Sequence, residues 1–374
     1  MRIFYAVPNT PHEGSLPQSK IWYFNLYLPL LELGHTLTVF DIDYGPYNYN
    51  LDPSQPERLE FIQQHRPLFG IELLRQVKEA HHQQPIDLFF SYFYSAYVEA
   101  EVISEIRRMG IKTVNFYANA SYQLNLVEEI APAFDYCLVP EKFRLEDYRR
   151  IGANPIYCQE AANPNIYKPY AVPQVYDVTF VGQKYATRPM YIRRLLDADI
   201  DARAWGPHWQ EPQPKPQRQP KWRTLGRAVK YIGRSKPPIY SSYIPPERCG
   251  PPLDDEALIQ MYSRSKISLG FSAVAKKSRP GEQPIKQVRL RDFEAPMSGA
   301  FYMVEQFDEL AEFFEPGKEI VFFADPEDLI DKARYYLRHA VEREHIRQAG
   351  MRRARADHTW HKRFQDVFRQ MGLA

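Results

Sequence analysis

Residues 286–301, KQVRLRDFEAPMSGAF, set three cations and two acids ahead of an apolar stretch that stops at Gly299 and leads into a further apolar run. A glycine ends a helix because it takes the left-handed backbone conformation without steric cost. The stretch therefore reads as a helix over 288–297 followed by a buried strand over 300–304. On that helix Arg291 and Glu294 lie three residues apart and share a face. An arginine near a helix N-terminus adds its fork of donors to free backbone N–H groups, which suits a diphosphate. A glutamate one turn on can accept from two ribose hydroxyls. An ordinary ion-paired helix would use the same residues, and both readings stand at this point.

The flanking sequence repeats the alternation. Upstream lie a strand over 177–182, a helix over 188–196, a strand over 202–205, a helix over 255–265 and a strand over 267–271. Downstream come a short helix over 307–314, a strand over 319–323 and long helices from 326 onward. Strand and helix in regular succession are the pattern of a parallel sheet covered by helices. In such sheets ligands bind beyond the carboxyl ends of the strands. There, residues 181–188, VGQKYATR, end a strand at Gly182 and open a helix beside Lys184 and Arg188. A helix N-terminus with cations next to it is an anion site by dipole and charge together, with a surface turn as the alternative.

The first half has the same rhythm, with strands expected over 2–7, 36–42, 86–92, 113–117, 136–139 and 156–159. Helices over 19–33, 96–109 and 141–151 close at Gly34, Gly110 and Gly152, and Pro29 should kink the first or mark a late start. A polar, proline-punctuated stretch ends near residue 174, which divides the chain into 1–168, 175–356 and a closing segment 357–374 with an apolar stripe. Two Rossmann-like halves in tandem account for this order. The loop after the first strand, PNTPHEGS at 8–15, carries His12, Glu13, Gly14 and Ser15, and reads as a turn or as a catalytic and acceptor loop. Neither a GxGxxG fingerprint nor a P-loop occurs.

Over 374 residues, 48 Lys and Arg stand against 46 Asp and Glu, so no global field draws the chain to nucleic acid or membrane. The exception is local: 212–248 holds nine Lys and Arg against the single acid Glu247, with eight prolines. It is either a solvated loop with a short helix over 222–232, or a site for an anionic acceptor or anionic membrane surface with Trp222, Tyr231, Tyr240 and Tyr243 as interfacial rings. A nucleic-acid partner is not expected. Three scattered cysteines give no disulfide framework and no paired metal-ligand motif, which reads as a cytosolic redox setting. No apolar run is long enough to span a bilayer, and no signal-type h-region follows Met1. The expected location is the cytoplasm, with peripheral contact to the inner face of the membrane. With 32 Pro, 26 Tyr and 22 Phe, ordered loops and aromatic clefts are expected.

From 177 to about 367, the run of DVTFVG with Arg188, YSRSKISLGFS, VRLRDFEAPMSGAF, FDELAEFFEPGKEIVFFADPEDLIDKARYYL and RRARADHTW resembles the nucleotide-binding half of the GT-B glycosyltransferases. It is most similar to the CgeB-like, spore-maturation group, and EAANPNIYKP at 160–169 extends the likeness into the first half. The resemblance implies an α/β, GT-B fold: two Rossmann-like domains whose parallel sheets face a central cleft, with a C-terminal helix crossing back to the first. It implies a nucleotide-sugar donor on the second domain, with UDP-sugar ahead of GDP-sugar, an acceptor on the first, and transfer between them without metal or further cofactor. The acceptor class stays open among glycan, lipid-linked, protein and small-molecule partners.

By position, Glu294 would bind the donor ribose, Arg291 and Arg188 the diphosphate, and Gly182, Lys184, Lys286 and Arg289 would complete the donor set. Arg291 would also act in catalysis by stabilising the leaving group. His12 and Glu13 are the candidate bases, with Gly14, Ser15 and Asn119 toward the acceptor. The chain departs from the family pattern twice. Many retaining relatives carry two glutamates separated by seven residues, and the earlier position is Lys286 here; an aspartate common after the fourth strand is replaced by Asn119. Retention of configuration is the expected outcome, and a non-catalytic sugar-nucleotide binder or a sugar-nucleotide epimerase or hydrolase are the alternatives.

Overall fold

The computed structural model describes residues 1–8, 19–119, 123–211, 243–274 and 284–373. His12, Glu13, Gly14 and Ser15 lie outside the described residues, as do 212–242 of the basic stretch with the helix expected over 222–232.

Two six-stranded parallel sheets form the frame. The first contains β1 (Arg2–Ala6), β2 (Thr36–Val39), β3 (Leu88–Ser91), β4 (Lys112–Phe116), β5 (Tyr136–Val139) and β6 (Pro155–Tyr157), in the order β2-β1-β3-β4-β5-β6. The second contains β7 (Tyr176–Val181), β8 (Ala202–Trp205), β9 (Cys249–Gly250), β10 (Ser265–Gly270), β11 (Tyr302–Glu305) and β12 (Val321–Phe323), in the order β12-β11-β10-β7-β8-β9. Helices cover both faces of each sheet, so the central strands are apolar throughout rather than alternating; Leu88, Phe89, Phe90 and Ser91 of β3 are all buried. Only β9, two residues at a sheet edge, has no counterpart in the sequence pattern.

The helices named below are α1 (Leu28–Glu32), α2 (Gly45–Asn48), α3 (Pro56–Gln83), α4 (Ala100–Arg108), α5 (Leu145–Arg150), α6 (Arg188–Asp197), α7 (Asp255–Arg264), α8 (Leu290–Met297), α9 (Pro326–Arg338), α10 (Ala340–Asp357) and α11 (Trp360–Gln370). Three expected helices are corrected in detail and one unexpected helix is added; the helix expected over 141–151 is a 3-10 turn, Lys142–Arg144, followed by the short α5. The single helix over 19–33 is a π-turn, Tyr23–Tyr27, running into the short α1. Pro29 has no N–H to give to the carbonyl one turn back, and a wider turn accommodates the missing bond. The helix over 307–314 is a 3-10 turn, Asp308–Glu312. The 28-residue α3 was not anticipated: its buried positions Ile62, Phe69, Leu73, Val77 and Ala80 keep helical period, but exposed Leu59, Leu68 and Ile71 and an internal Pro67 blur the stripe.

The last helix crosses back. Trp360, Phe364, Val367, Phe368 and Met371 are buried in the core of the first sheet, not the second. Trp360 meets Phe116 of β4 edge-on at 5.3 Å, and Thr359 caps α11 by accepting from the Lys362 N–H at 3.3 Å. A backbone bridge pairs Thr359 with Ala162, where the chain passes between the sheets.

Candidate functional site

Glu160, three residues beyond β6, accepts a hydrogen bond from the Leu290 N–H at the N-terminus of α8. This contact sets the carboxyl end of the first sheet against the helix whose sequence opened the analysis. Around it the second sheet assembles its charges. Gly182, following β7, donates to the Trp205 carbonyl at 2.7 Å and accepts from the Trp209 indole at 2.6 Å. A side chain there would meet the Phe180 ring at 2.7 Å and the Arg291 guanidinium at 3.4 Å. Gly206, at φ +139°, presses on the Gly182 carbonyl, where a Cβ would lie 2.4 Å from its oxygen. Glycine is required at both places, at Gly182 because a Cβ would strike the Phe180 ring and at Gly206 because of its positive φ and the Gly182 backbone against it.

Arg188 is buried at the start of α6, its guanidinium 3.7 Å from the Tyr185 ring centroid. It donates to the Gln183 carbonyl at 2.9 Å and to the Tyr185 hydroxyl at 2.6 Å. Burial, opposed by Tyr185 and reinforced by Arg289 and Arg291, pushes its pKa down to about 9. Arg289 donates to the Ala273 carbonyl at 2.7 Å. Its backbone N–H is taken by Asp292 at 2.8 Å, whose other oxygen accepts from the Tyr302 hydroxyl at 2.7 Å. Among the described residues each of the three guanidinium groups keeps one buried nitrogen without a hydrogen-bond partner: Nε of Arg188, Nε of Arg289 and Nη1 of Arg291. Buried donors are almost always satisfied, and leaving one unmatched costs about 1–3 kcal/mol.

Glu294 is 5% exposed and accepts from the Tyr262 hydroxyl at 2.8 Å, with Arg291 Nε 3.6 Å away. Burial raises its pKa against the opposing pull of Arg291 and Tyr262. Burial also raises Asp292 to about 6 and Glu160 to about 7, the latter against the Leu290 N–H and Arg289.

Gly182, Arg188, Arg289, Arg291 and Glu294 are thus brought together. Lys184 and Lys286 flank them on opposite sides. Lys286 pairs with Glu305 at 3.1 Å and donates to the Gln306 carbonyl at 2.7 Å, at the end of β11. Lys184 lies toward β9, where it opposes the upward push of burial on the Cys249 thiol. Among the described residues no group of three His, Cys, Asp or Glu converges to hold a metal ion.

Beyond the carboxyl ends of the first sheet's central strands lies a buried aromatic cluster. Tyr92, Tyr94 and Tyr117, beyond β3 and β4, form a triangle with ring centroids 5.2–5.9 Å apart, and Trp22 lies 4.9 Å from Tyr92. Asn119 follows directly, its carbonyl accepting from the Gln123 N–H at 3.1 Å. Ser19 and Lys20, the first described residues after 9–18, bind Asp255 at the start of α7 through the Ser19 hydroxyl at 3.1 Å and the Lys20 N–H at 2.7 Å. Beside this cluster a cavity of about 550 Å³ opens between α3 and the loops after β3 and β4, with Leu59, Ile62 and Leu126 against Ser95, Arg66 and Glu99.

Sequence reasoning missed Glu160, Tyr262, Asp292 and Tyr302 as members of the site. Each lies in or beside a motif already singled out, but a buried acid or phenol shows its role only when its partner is known. Asp292 had the clearest signal, an acid in the first turn of a helix.

Residues 187–369 match the family described as Glycosyl transferase-like. No curated protein matches the sequence. Among solved structures, a sucrose-phosphate synthase from Thermosynechococcus elongatus superimposes with a TM-score of 0.58 at 14% identity, covering 99% of this chain and 98% of that one. HepE from Anabaena in complex with UDP-glucose gives 0.57 at 11% identity, covering 100% and 99%. A glycosyltransferase from Rickettsia africae gives 0.57 at 10%, covering 99% and 98%. The fold is the GT-B fold, as the resemblance implied.

Proposed function

We propose that this chain is a glycosyltransferase that moves a sugar from a UDP-sugar to an acceptor held on the first half, without a metal ion and with retention of configuration. The observation that carries the reading is the trio Arg188, Arg289 and Arg291, each with an unmatched buried N–H at the carboxyl end of the second sheet. A diphosphate would supply the missing acceptors. The family match over 187–369 supports glycosyl transfer, and the complex of HepE with UDP-glucose supports the donor class.

Little covalent chemistry is asked of the protein. As the glycosidic bond to the β-phosphate lengthens, negative charge develops on the leaving diphosphate. Guanidinium groups fixed in a dry site stabilise that charge without having to reorganise, and they provide the positive charge that a divalent cation supplies elsewhere. Glu294 would hold the ribose hydroxyls. Closure of the cleft would exclude water and limit donor hydrolysis. The acceptor would lie in the cavity beside α3, whose mixed lining of Leu59, Ile62 and Leu126 with Ser95, Arg66 and Glu99 fits an acceptor with an apolar body.

The test is UDP release from UDP-sugars, with and without candidate acceptors and with chelator present. Acceptor-dependent release that survives the chelator is expected, with the donor's anomeric configuration kept in the product by proton coupling constants. An epimer, or free sugar formed at the same rate without acceptor, would replace this reading with the epimerase or hydrolase one.

A further inference from the structure

The N-cap residue of α8 is Arg289, whose guanidinium carries donors and no acceptor. It cannot close the helix as Asp254, Asp325 and Thr359 close α7, α9 and α11, each accepting from N–H groups of the first turn. Asp292 accepts from the Arg289 N–H at 2.8 Å. The Leu290 N–H, first of the helix proper, is left to an outside partner, and that partner is Glu160, 130 residues earlier in the chain.

Glu160 is held from the first half. Its backbone N–H donates to the Gln159 side chain at 2.8 Å, and Gln159 is fixed in turn by its own amide on the Pro140 carbonyl at 3.0 Å and by Arg363 on its backbone carbonyl at 3.1 Å. The carboxylate reaches across to α8 and makes a single hydrogen bond there; among the described residues its other oxygen accepts none. A carboxylate offers about four lone-pair sites, so this one is sparsely held. The helix end it occupies is positive through its dipole and its free N–H groups. The unmatched Nε of Arg289 belongs to the residue just before Leu290, and Arg188, 6% exposed and also unmatched at Nε, lies within electrostatic reach of Arg289. From α8, Arg289, Asp292 and Glu294 face Glu160, and from its own half Tyr92 and Cys158 do.

We propose that Glu160 occupies the seat of a donor phosphate: its carboxylate holds the N-terminus of α8 while no donor is bound, and the diphosphate displaces it. The proposal rests on the diphosphate reading given to this site above. A diphosphate brings more charge and more acceptors to the same donors than one carboxylate does, so it wins the exchange. The displaced carboxylate is then left beside added negative charge, which favours its protonated form. Burial has already raised its pKa to about 7, so Glu160 takes up a proton from solvent as the donor binds. Glu160 also sets a threshold, because a ligand with a single weak anion gains little by displacing it.

The experiment is titration calorimetry with UDP at about pH 7.5, in buffers of different ionisation enthalpy, on the full chain, Glu160→Gln and Glu160→Ala, with thermal melts run in parallel. Removing the competing carboxylate should tighten UDP binding about fivefold in Glu160→Ala. Glu160→Gln keeps a neutral acceptor for the Leu290 N–H and should fall between that variant and the full chain. Proton uptake on binding, read from the buffer dependence of the heat, should be larger in the full chain than in either variant, since the phosphate of UDP contributes alike to all three. UDP bound no more tightly by the folded variants than by the full chain, or bound with the same proton uptake, would overturn the proposal; a lowered melting temperature alone would make Glu160 a structural tie between the halves. Each variant predicts tighter binding, so either one that folds decides. Absence of UDP binding by the full chain and both variants alike would instead remove the diphosphate reading, and this proposal with it.

Discussion

The two walls of the cleft are made of opposite materials. On the second half, Arg188, Asp292 and Glu294 are buried ionisable groups, and guanidinium nitrogens are left without acceptors. On the first half, Trp22, Tyr92, Tyr94 and Tyr117 pack ring against ring. Apolar packing needs no further partner, whereas a buried cation with an open donor gains from a ligand that supplies an acceptor. On the proposed reading, the difference separates a region that contributes stability from one that gives some up to receive an anion. It would suit the two substrates of the proposed transfer: a donor has fixed charge, and an acceptor presents a neutral hydroxyl.

The largest effect should come from the packed side. Trp360→Ala removes a fully buried indole between Phe116 and Phe364 and should cost about 3–5 kcal/mol in denaturant unfolding. A loss below about 1 kcal/mol would mean that α11 is dispensable to the first sheet. On the charged side, Arg291→Ala should lower UDP affinity by about 1.5–3 kcal/mol, the range for hydrogen bonds to charged groups. Calorimetry that finds the affinity unchanged would place the diphosphate elsewhere. Glu294→Gln keeps the side-chain volume and one acceptor, and should cost about 1 kcal/mol of UDP binding.

A pH dependence follows from Glu160. Burial raises its pKa from the ordinary 4.5 to about 7, so in that window the folded chain holds a proton the unfolded chain has lost. Stability should therefore fall as pH rises from about 4.5 to about 7. Glu160→Gln should flatten that fall in chemical denaturation, and an unaltered slope would show that Glu160 titrates normally. The smallest effect belongs to the aromatic wall: Tyr117→Phe should change UDP affinity by less than about 0.5 kcal/mol. A larger loss in the same titration would blur the division between the walls.

Much of this frame was legible in the sequence because parallel strands buried on both faces show as short apolar runs, and glycines mark the helix ends. Arg291 and Glu294 were legible for a similar reason: their contact lies within one helix, three residues apart. Contacts across the chain were not. Glu160 meets Leu290 over a separation of 130 residues, and Asn25 meets Tyr167 over 142. Such pairs leave no periodicity to read. Lys286 and Arg289 were legible as cations but not as cations tied to Glu305 and the Ala273 carbonyl. The α3 helix was hidden by Pro67 and by exposed apolar residues, which cost a soluble helix little and obscure its stripe.

The central claim is that the charged wall is a nucleoside-diphosphate site, and titration calorimetry of the full chain with UDP, GDP, CDP and dTDP tests it most directly. The account predicts saturable binding with UDP tightest, lost by at least about tenfold in Arg291→Ala, as expected for one charge-assisted hydrogen bond. Heats indistinguishable from dilution for all four nucleotides, or UDP binding that Arg291→Ala leaves intact, would contradict it.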